Sequence, residues 1–257
     1  MRDGRYLSTA LEAARAAGEV IRHYYGRDPA VRLKADATPV TEADLAAEKL
    51  IREVILGAWP DHGFLGEEGE DTRADAEWVW LVDPLDGTKG FVRGYPFVST
   101  QIALVHAGRV ELGVSCAPLF GETAWAERGG GSWLNGTPCA VSEIDSLADC
   151  TLSSGNLRSL AGSRGWARYG RLVAAVDRVR GYGDFYHYHL LATGRIDVVV
   201  ESDVHVLDIA ALSLIVEEAG GRFSDLAGRP FDMRTHSVLA SNGRLHGDVL
   251  GVLHEAD

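Results

Sequence analysis

The sequence predicts an α/β or α+β fold in which helices are layered against sheets. Three observations support this class. Apolar residues in the first 60 positions recur with helical spacing. Between about residues 78 and 128 the pattern changes to short, continuously apolar runs, which are typical of buried strands. Helical and strand patterns then alternate through the rest of the chain, and this mixture indicates a layered architecture.

Two helices are predicted near the N-terminus. Apolar side chains recur every three or four positions over residues 6–25, and Gly26 follows as a stop. A second helix is predicted from 41 to about 56. Thr41 and Asp44 have the spacing of a capping box at its start, with Asp in the position where Glu is usual.

The central segment predicts a sheet. Its strands are expected at 78–82, 98–105, 110–117 and 122–127. The second and third runs are separated by Ala107, Gly108 and Arg109, which indicates a hairpin.

The second half predicts an alternation of helices and strands. Helices are expected at 165–177, 185–193, 208–219 and 245–254, and strands at 196–200, 223–224 and 238–241. Within the helix at 185–193, His187 and His189 are expected to pack or lie at the surface. We expect an N-terminal half, 1–145, and a C-terminal half, 146–257.

The chain is acidic: 25 Lys and Arg against 37 Asp and Glu give a net charge of −12. Such a charge argues against nucleic acid and anionic membranes as partners and, taken alone, against an anionic substrate. The apolar runs are shorter than the roughly 18 residues that a membrane span needs, and the N-terminus lacks an apolar signal core. The three cysteines are widely spaced and odd in number, so free thiols in the cytoplasm are expected.

Candidate functional carboxylates stand at the ends of apolar runs. Glu67 and Glu68 follow one such run, Asp83 and Asp86 follow the strand at 78–82, and Asp208 begins a helical pattern. Because a proline disfavours helix at the residue before it, the chain is expected to turn at Pro84, which would allow Asp83 and Asp86 to converge.

Convergent carboxylates favour bound cations, and the backbone N–H groups of Gly87 and Thr88, at an expected helix start, suit an anion. Together these features are typical of a Mg²⁺ site beside a phosphate. Taken alone, the sequence DPLDGT at 83–88 is also compatible with an ordinary turn.

Together these residues resemble the inositol monophosphatase superfamily of metal-dependent phosphatases. The ordered motifs are DATPVTEAD at 36–44, FLGEE at 64–68, DPLDGT at 83–88 with Phe91, LATG at 191–194, DIAA at 208–211 and EAGG at 218–221. The resemblance covers most of the chain. It implies a layered αβαβα sandwich of the inositol monophosphatase and fructose bisphosphatase type, and Mg²⁺-dependent hydrolysis of a phosphate monoester.

The resemblance also implies roles for individual residues. The metal ligands would be Glu67, Asp83, Leu85 through its backbone carbonyl, Asp86 and Asp208. Gly87 and Thr88 would bind the phosphate, Asp44 and Thr88 would position and activate the attacking water, and Glu67 would also count as catalytic. The family usually has Trp where this chain has Leu207, a substitution expected to affect packing more than the metal site.

Direct in-line attack of water is expected, because no Ser, Cys or His motif indicates a protein nucleophile. Two or three Mg²⁺ ions would reverse the local sign of the charge, activate the water and stabilise the leaving group. Hydrolysis would then not require a covalent intermediate.

Substrate choice depends on other residues. Asp184, followed by aromatic residues, resembles the histidinol-phosphate phosphatase branch, and Glu201 stands where the family contacts the organic part of its substrate. Both carboxylates suit the cationic ammonium and imidazole of histidinol phosphate, although Asp184 is also suited to cap a helix at Phe185.

Several alternatives remain at this point. Within the same class, the substrate is inositol monophosphate, 3′-phosphoadenosine 5′-phosphate or fructose 1,6-bisphosphate. In a different class, the chain is a non-catalytic regulatory or binding protein on the same fold. The resemblance suggests a homodimer.

Overall fold

The structure is a computed structural model of the chain and describes residues 4–27, 31–33 and 39–255. Part of the first family-like motif, residues 36–38, therefore lies outside the described residues. The chain divides into two compact units. Unit 1 comprises Met1–Arg128 with Leu207–Leu214, and unit 2 comprises Gly129–Val206 with Ile215–Asp257. The expected halves, 1–145 and 146–257, stay a prediction.

The helices in the described residues are α1 (Arg5–Tyr24), α2 (Glu42–Ala58), α3 (Thr88–Val92), α4 (Arg158–Ala161), α5 (Gly165–Ala175), α6 (Tyr186–Ala192), α7 (Val206–Glu218) and α8 (His246–His254), with a 3₁₀ turn at Leu147–Asp149. The strands are β1 (Val31–Leu33), β2 (Pro39–Thr41), β3 (Gly63–Gly66), β4 (Trp78–Asp86), β5 (Ser99–His106), β6 (Arg109–Ala117), β7 (Glu122–Glu127), β8 (Ser132–Leu134), β9 (Thr137–Pro138), β10 (Thr151–Ser154), β11 (Arg178–Arg180), β12 (Val198–Ser202), β13 (Arg222–Ser224) and β14 (Ser237–Ser241). The expected helices and strands are confirmed, with ends shifted by up to a few residues.

Unit 1 is built on a sheet in which β3, β4, β5, β6 and β7 lie side by side in that order. β3 runs parallel to β4, and the remaining neighbours are antiparallel. The expected hairpin joins β5 and β6. Ala107 and Gly108 at its tip both have positive φ, 48° and 78°, as a tight hairpin turn requires.

Helices α1 and α2 cover this sheet. Alanines on the inner face of α1 and isoleucines on the inner face of α2 are fully buried with aromatic and aliphatic strand residues. This core includes Ala10, Ala14, Ala17, Ile51, Ile55, Phe64, Trp80, Ile102 and Val114. The small alanine side chains allow a helix to pack close to a neighbouring element, and burial of this apolar surface is the main stabilising contribution.

The beginning of α7 packs against β6. A Cβ added at Gly113 would lie 2.5 Å from the carbonyl oxygen of Ala211, so only glycine permits this approach. The contact fixes the first turn of α7, which contains Asp208, within unit 1. Leu207 is buried beside it, in keeping with its expected packing role.

Unit 2 contains a five-stranded sheet in the order β11, β10, β12, β14, β13. β10 lies parallel to β11 and β12, whereas β12, β14 and β13 pair antiparallel. Its core joins the sheet to α5 and α8, through Leu152, Leu172, Val198, Leu239, Val249 and Leu253.

Two further properties bear on the sequence-based expectations. Within the described residues, no helix is both long enough and apolar enough to cross a membrane. All three cysteines are free: Cys116 and Cys150 are buried, and Cys139 is half-buried.

Candidate active site

The carboxylates Asp83 and Asp86 lie at the end of β4. The expected turn at Pro84 is wrong, because the strand continues through Asp86. A bulge takes its place: three steps along β4, from Asp83 to Asp86, are paired with only two along β5. The Thr100 side chain supports the bulge by donating a hydrogen bond to the Pro84 carbonyl at 2.9 Å. In a regular strand positions 83 and 86 would face opposite sides, and the bulge removes this restriction.

Asp83 is the electrostatic centre of the candidate site. Its burial raises the pKa of its carboxyl well above the ordinary value of 3.8, and the carboxylates of Glu67, Asp208 and Asp86 raise it further. A hydrogen bond shared with Glu67 acts in the same direction. The structure therefore places Asp83 within electrostatic range of three other carboxylates that the sequence singled out, those of Glu67, Asp86 and Asp208.

The repulsion that the buried Asp83 carboxylate experiences from its neighbours is relieved by protonation or by cations. Carboxylate and carbonyl oxygens are the donors that Mg²⁺ prefers, so this set fits a divalent ion. Among residues 4–27, 31–33 and 39–255, no three His, Cys, Asp or Glu side chains are close enough to hold a metal as they stand. The coupling around Asp83 is electrostatic and has a longer range than ligation.

Asp44 has two sets of contacts. Its Oδ2 accepts a hydrogen bond from the Thr41 backbone N–H at 2.8 Å and another from the Thr41 hydroxyl, and the N-terminus of α2 has the expected capping box. Its Oδ1 accepts a hydrogen bond from the Thr88 hydroxyl at 3.0 Å. Burial raises the pKa of Asp44, and the hydrogen bonds from Thr41 and Thr88 oppose that shift. Capping is therefore confirmed, and the water-positioning role stays a prediction.

Thr88 lies at the start of α3. Its Oγ1 is 3.0 Å from Asp44 Oδ1 and also 3.0 Å from the Leu85 carbonyl oxygen. A hydroxyl has one proton, so it donates to one of these acceptors at a time. Gly87, which precedes it, has a φ of +89°, and an added Cβ would overlap the Phe97 carbonyl oxygen. Only glycine fits this position.

In unit 2, Glu201 is 3% exposed and is held by the chain itself. Its Oε1 accepts from the Asn156 backbone N–H at 3.1 Å, and its Oε2 accepts from the Tyr188 hydroxyl at 2.9 Å. His187 Nε2 lies 3.2 Å from the same Oε2, at ion-pair distance but without the alignment of a hydrogen bond. Burial raises the pKa of Glu201, but the His187 charge and these hydrogen bonds hold it below its usual range.

Asp184 belongs to the same cluster. Desolvation by the surrounding chain and the nearby Glu201 charge together raise the pKa of its carboxyl to about 6, and His187 opposes the shift. The residue itself is exposed. Its φ is +46°, in the left-handed region that non-glycine residues seldom adopt. Among the described residues, no side chain caps α6 at Phe185 and none donates a hydrogen bond to the Asp184 carboxylate. The capping alternative for Asp184 is therefore wrong.

Sequence reasoning missed the role of His187. His187 and His189 are buried, which agrees with the packing alternative, but the contact between His187 and Glu201 joins residues on different elements. The available signal was a histidine inside an apolar helical run. Such a pattern does not indicate which residue the histidine contacts in the fold.

Comparison with known proteins agrees with these observations. The model of the inositol monophosphatase family matches residues 4–257. A histidinol-phosphatase of Mycobacterium tuberculosis is 40% identical over 253 residues, covering 95% of this chain and 96% of the relative. A fructose-1,6-bisphosphatase/inositol-1-monophosphatase of Thermotoga maritima is 34% identical, covering 97% of this chain and 96% of the relative.

Solved structures point the same way. The extragenic suppressor protein suhB of Bartonella henselae superposes with a TM-score of 0.91 at 32% identity, covering 99% of this chain and all of that one. The expected α/β fold class, of the inositol monophosphatase type, is thereby confirmed. The relatives with named activities are phosphatases, so this chain is a phosphomonoesterase. It belongs to the inositol monophosphatase family.

Proposed function

We propose that this enzyme hydrolyses histidinol phosphate to histidinol and phosphate with the help of Mg²⁺. The observation that carries the choice of substrate is Asp184, an exposed residue whose carboxylate lies near the buried Glu201 and accepts no hydrogen bond from the described chain, and whose backbone adopts a strained conformation. Strain of this kind is concentrated at functional sites. Such a carboxylate suits a cationic group, and histidinol phosphate carries an ammonium and an imidazole.

The metal would be held by the carboxylates grouped around Asp83. The proposed ligands are Glu67, Asp83, Asp86, Asp208 and the carbonyl oxygen of Leu85, for two or three ions. When bound, Mg²⁺ neutralises the phosphate charge, lowers the pKa of the attacking water and stabilises the leaving oxygen. The observation that supports this assignment is that burial and the neighbouring carboxylates of Glu67, Asp208 and Asp86 disfavour the ionised form of Asp83.

Asp44 and Thr88 would position the water and take its proton. If the Leu85 carbonyl oxygen binds a metal ion, the Thr88 hydroxyl would donate its hydrogen bond to Asp44 Oδ1. Its oxygen lone pairs would then be available to accept a hydrogen bond from the attacking water. The proton of the water then passes to Thr88 Oγ1 as the Thr88 proton passes to Asp44 Oδ1. A raised pKa makes Asp44 a better acceptor for this proton. The backbone N–H groups of Gly87 and Thr88 would hold the phosphate.

Glu201 and Asp184 would divide the recognition of the organic part. Because Glu201 is already held by Asn156 and Tyr188, it supplies a fixed negative charge. Asp184 has the spare hydrogen-bonding capacity and would pair directly with the substrate's cationic end. A cation beside Asp184 would also offset the repulsion between the two carboxylates.

A second candidate is inositol monophosphate or fructose 1,6-bisphosphate, which the name of the Thermotoga maritima relative favours. These substrates offer hydroxyls and no cation, so they would leave Asp184 without a charged partner.

Phosphate release on a panel of esters tests the proposal. The panel contains histidinol phosphate, inositol 1-phosphate, 3′-phosphoadenosine 5′-phosphate and fructose 1,6-bisphosphate, each with Mg²⁺ and with EDTA. We expect kcat/KM to be highest for histidinol phosphate and release to stop in EDTA. Equal or better turnover of another ester overturns the substrate assignment. No release from any ester favours a non-catalytic protein, and a trapped phosphoryl-enzyme overturns direct attack by water.

We further propose a cytoplasmic location, with which three free cysteines agree, and a homodimer. Light scattering of the purified protein tests the dimer, which a mass of 27.7 kDa would overturn.

A further inference from the structure

Glu48 is a buried carboxylate that the mechanism above does not use. It is 4% exposed and lies on α2, one helical turn after Asp44. Residues four positions apart share one face of a helix. The same face of α2 thus carries Asp44, which contacts Thr88, and Glu48, whose contacts lie elsewhere.

The carboxylate of Glu48 sits inside the loop that carries Glu67. Its Oε2 accepts a hydrogen bond from the Glu68 backbone N–H at 2.7 Å. A Cβ added at either Gly66 or Gly69 would lie only 2.5 Å from an oxygen of Glu48. The glycines on both sides of the Glu67–Glu68 pair therefore leave the space that the carboxylate fills, and the loop is closely fitted to this side chain.

Arg52 completes the arrangement one turn further along α2. Its guanidinium donates to Glu48 Oε1 at 3.2 Å and to Thr72 Oγ1 at 3.0 Å, and it lies over the Phe64 ring at 4.1 Å. Phe64 and Thr72 exchange backbone hydrogen bonds of 2.8 and 2.9 Å, which close the base of the loop. The loop from β3 to Thr72 is thus tied at its base by Arg52 and in its middle by Glu48.

We propose that Glu48 is a positioning residue that sets the orientation of Glu67 toward the metal; this rests on the proposed function. The N–H that Glu48 binds belongs to the rigid, planar peptide unit joining Glu67 to Glu68. Fixing that plane fixes the backbone of Glu67 on its C-terminal side. A charge-assisted hydrogen bond is stronger than a neutral one and suits this task. Supporting partners of this kind typically change metal affinity about 10- to 100-fold.

The test compares Glu48→Ala and Glu48→Gln with the wild type and with Glu53→Ala. Glu53 lies on the same helix, its side chain is 60% exposed, and it pairs with Lys49 at a distance of 4.0 Å, so its variant is a matched control. Mg²⁺ binding is measured by calorimetry without substrate, and the melting temperature is followed in EDTA and at rising Mg²⁺. The midpoint for Mg²⁺ activation and KM at saturating Mg²⁺ are then determined.

We expect Glu48→Ala to weaken Mg²⁺ binding about 10- to 100-fold and to reduce the melting-temperature gain that Mg²⁺ produces. KM at saturating Mg²⁺ should stay near the wild-type value. Glu48→Gln keeps an acceptor for the Glu68 N–H, so its Mg²⁺ affinity should lie between those of the wild type and Glu48→Ala. Glu53→Ala should match the wild type. If Glu48→Ala does not fold, Gly69→Ala provides a second route, because it retains the Glu48 side chain but crowds its carboxylate. This variant should weaken Mg²⁺ binding in the same direction.

Equal melting-temperature losses with and without Mg²⁺, together with unchanged Mg²⁺ affinity, would show that Glu48 serves stability alone and would overturn the inference. The wild type reports separately on the proposed function. A wild type that binds Mg²⁺ but releases no phosphate overturns the activity and leaves this comparison valid. A wild type that binds no Mg²⁺ overturns both.

Discussion

The Thr88 hydroxyl lies 3.0 Å from Oδ1 of Asp44, although 44 positions separate the two residues in the sequence. The contact joins the first turn of α2 to the first turn of α3. It is the only link of the proposed proton path that the side chains form on their own, so it is the natural place to begin testing the mechanism.

Replacing Thr88 by valine keeps the shape of the side chain and removes the hydroxyl. Without a group to orient the water and pass on its proton, kcat should fall by about 10²–10⁴, the usual contribution of a positioned acid–base group. Thr88→Ser should keep most of the activity. Phosphate release is the measurement, and circular dichroism confirms folding. A valine variant within about threefold of the wild type would contradict the proton path.

Asp86 tests the metal assignment. Asp86→Asn keeps an acceptor for the Ser99 hydroxyl, 3.2 Å away, and removes the charge. We expect a folded protein whose Mg²⁺-dependent kcat/KM is lower by about 10²–10³, comparable to the loss of one charge-stabilising group. Full activity of this variant would show that Asp86 is not a metal ligand.

Asp83 should make the metal-free protein less stable. Because its pKa is raised above the ordinary 3.8, the native state retains a proton that the unfolded chain releases. Ionisation of Asp83 therefore lowers the free energy of unfolding. This loss of stability grows as the pH rises from about 4 through the raised pKa.

In EDTA at pH 7, Asp83→Asn should melt higher than the wild type, by about 2–4 °C for each kcal/mol of relieved repulsion. This difference in melting temperature should shrink toward pH 4. Added Mg²⁺ should raise the melting temperature of the wild type more than that of the variant. Scanning calorimetry at several pH values is the measurement. Equal melting temperatures at pH 7 would mean that Asp83 is not strained by its neighbours.

Asp184 predicts a pH dependence specific to cationic substrates. With a pKa of about 6, it is ionised above that pH and neutral below it. The kcat/KM for histidinol phosphate should therefore rise through pH 6 more steeply than that for inositol 1-phosphate, which shares the phosphate ionisation and lacks the cation. Asp184→Asn should remove the extra rise and lower kcat/KM for histidinol phosphate alone. Equal losses for both esters would argue against cation recognition.

Much of the fold follows from hydrophobic spacing. The helices α1, α2 and α5 carry regular patterns because each buries one face, whereas β5, β6 and α7 are largely apolar because they are buried on nearly all sides. The strand β7 alternates between buried and partly exposed residues. The pair β10 and β11 escaped prediction, since sequences as short and polar as TLSS and RVR show no periodicity. These strands are stabilised by pairing with neighbours that are distant in sequence, which no local pattern records.

For the candidate site, residue types were easier to predict than geometry. Asp44, Glu67, Asp83, Asp86 and Asp208 were predicted as site residues from their motifs. The coupling of Asp83 with Glu67, Asp86 and Asp208 agrees with the expectation that these four carboxylates lie near one another. The expected turn at Pro84 was wrong because proline is compatible with both a turn and a strand bulge. Pairing with β5 decides between the two, and that choice is made by tertiary structure.

The bulge in β4 also has a consequence for how this protein can change. Regular pairing would send Asp83 and Asp86 to opposite faces of the sheet and spare the chain some electrostatic repulsion. Selection for stability alone would thus favour regular pairing of β4 with β5, whereas selection for the proposed metal site would preserve the bulge. If Asp83 and Asp86 hold the metal as proposed, efforts to make this enzyme more heat-resistant by idealising its strands should leave residues 83–86 untouched, because backbone register would then set the trade-off between stability and activity there.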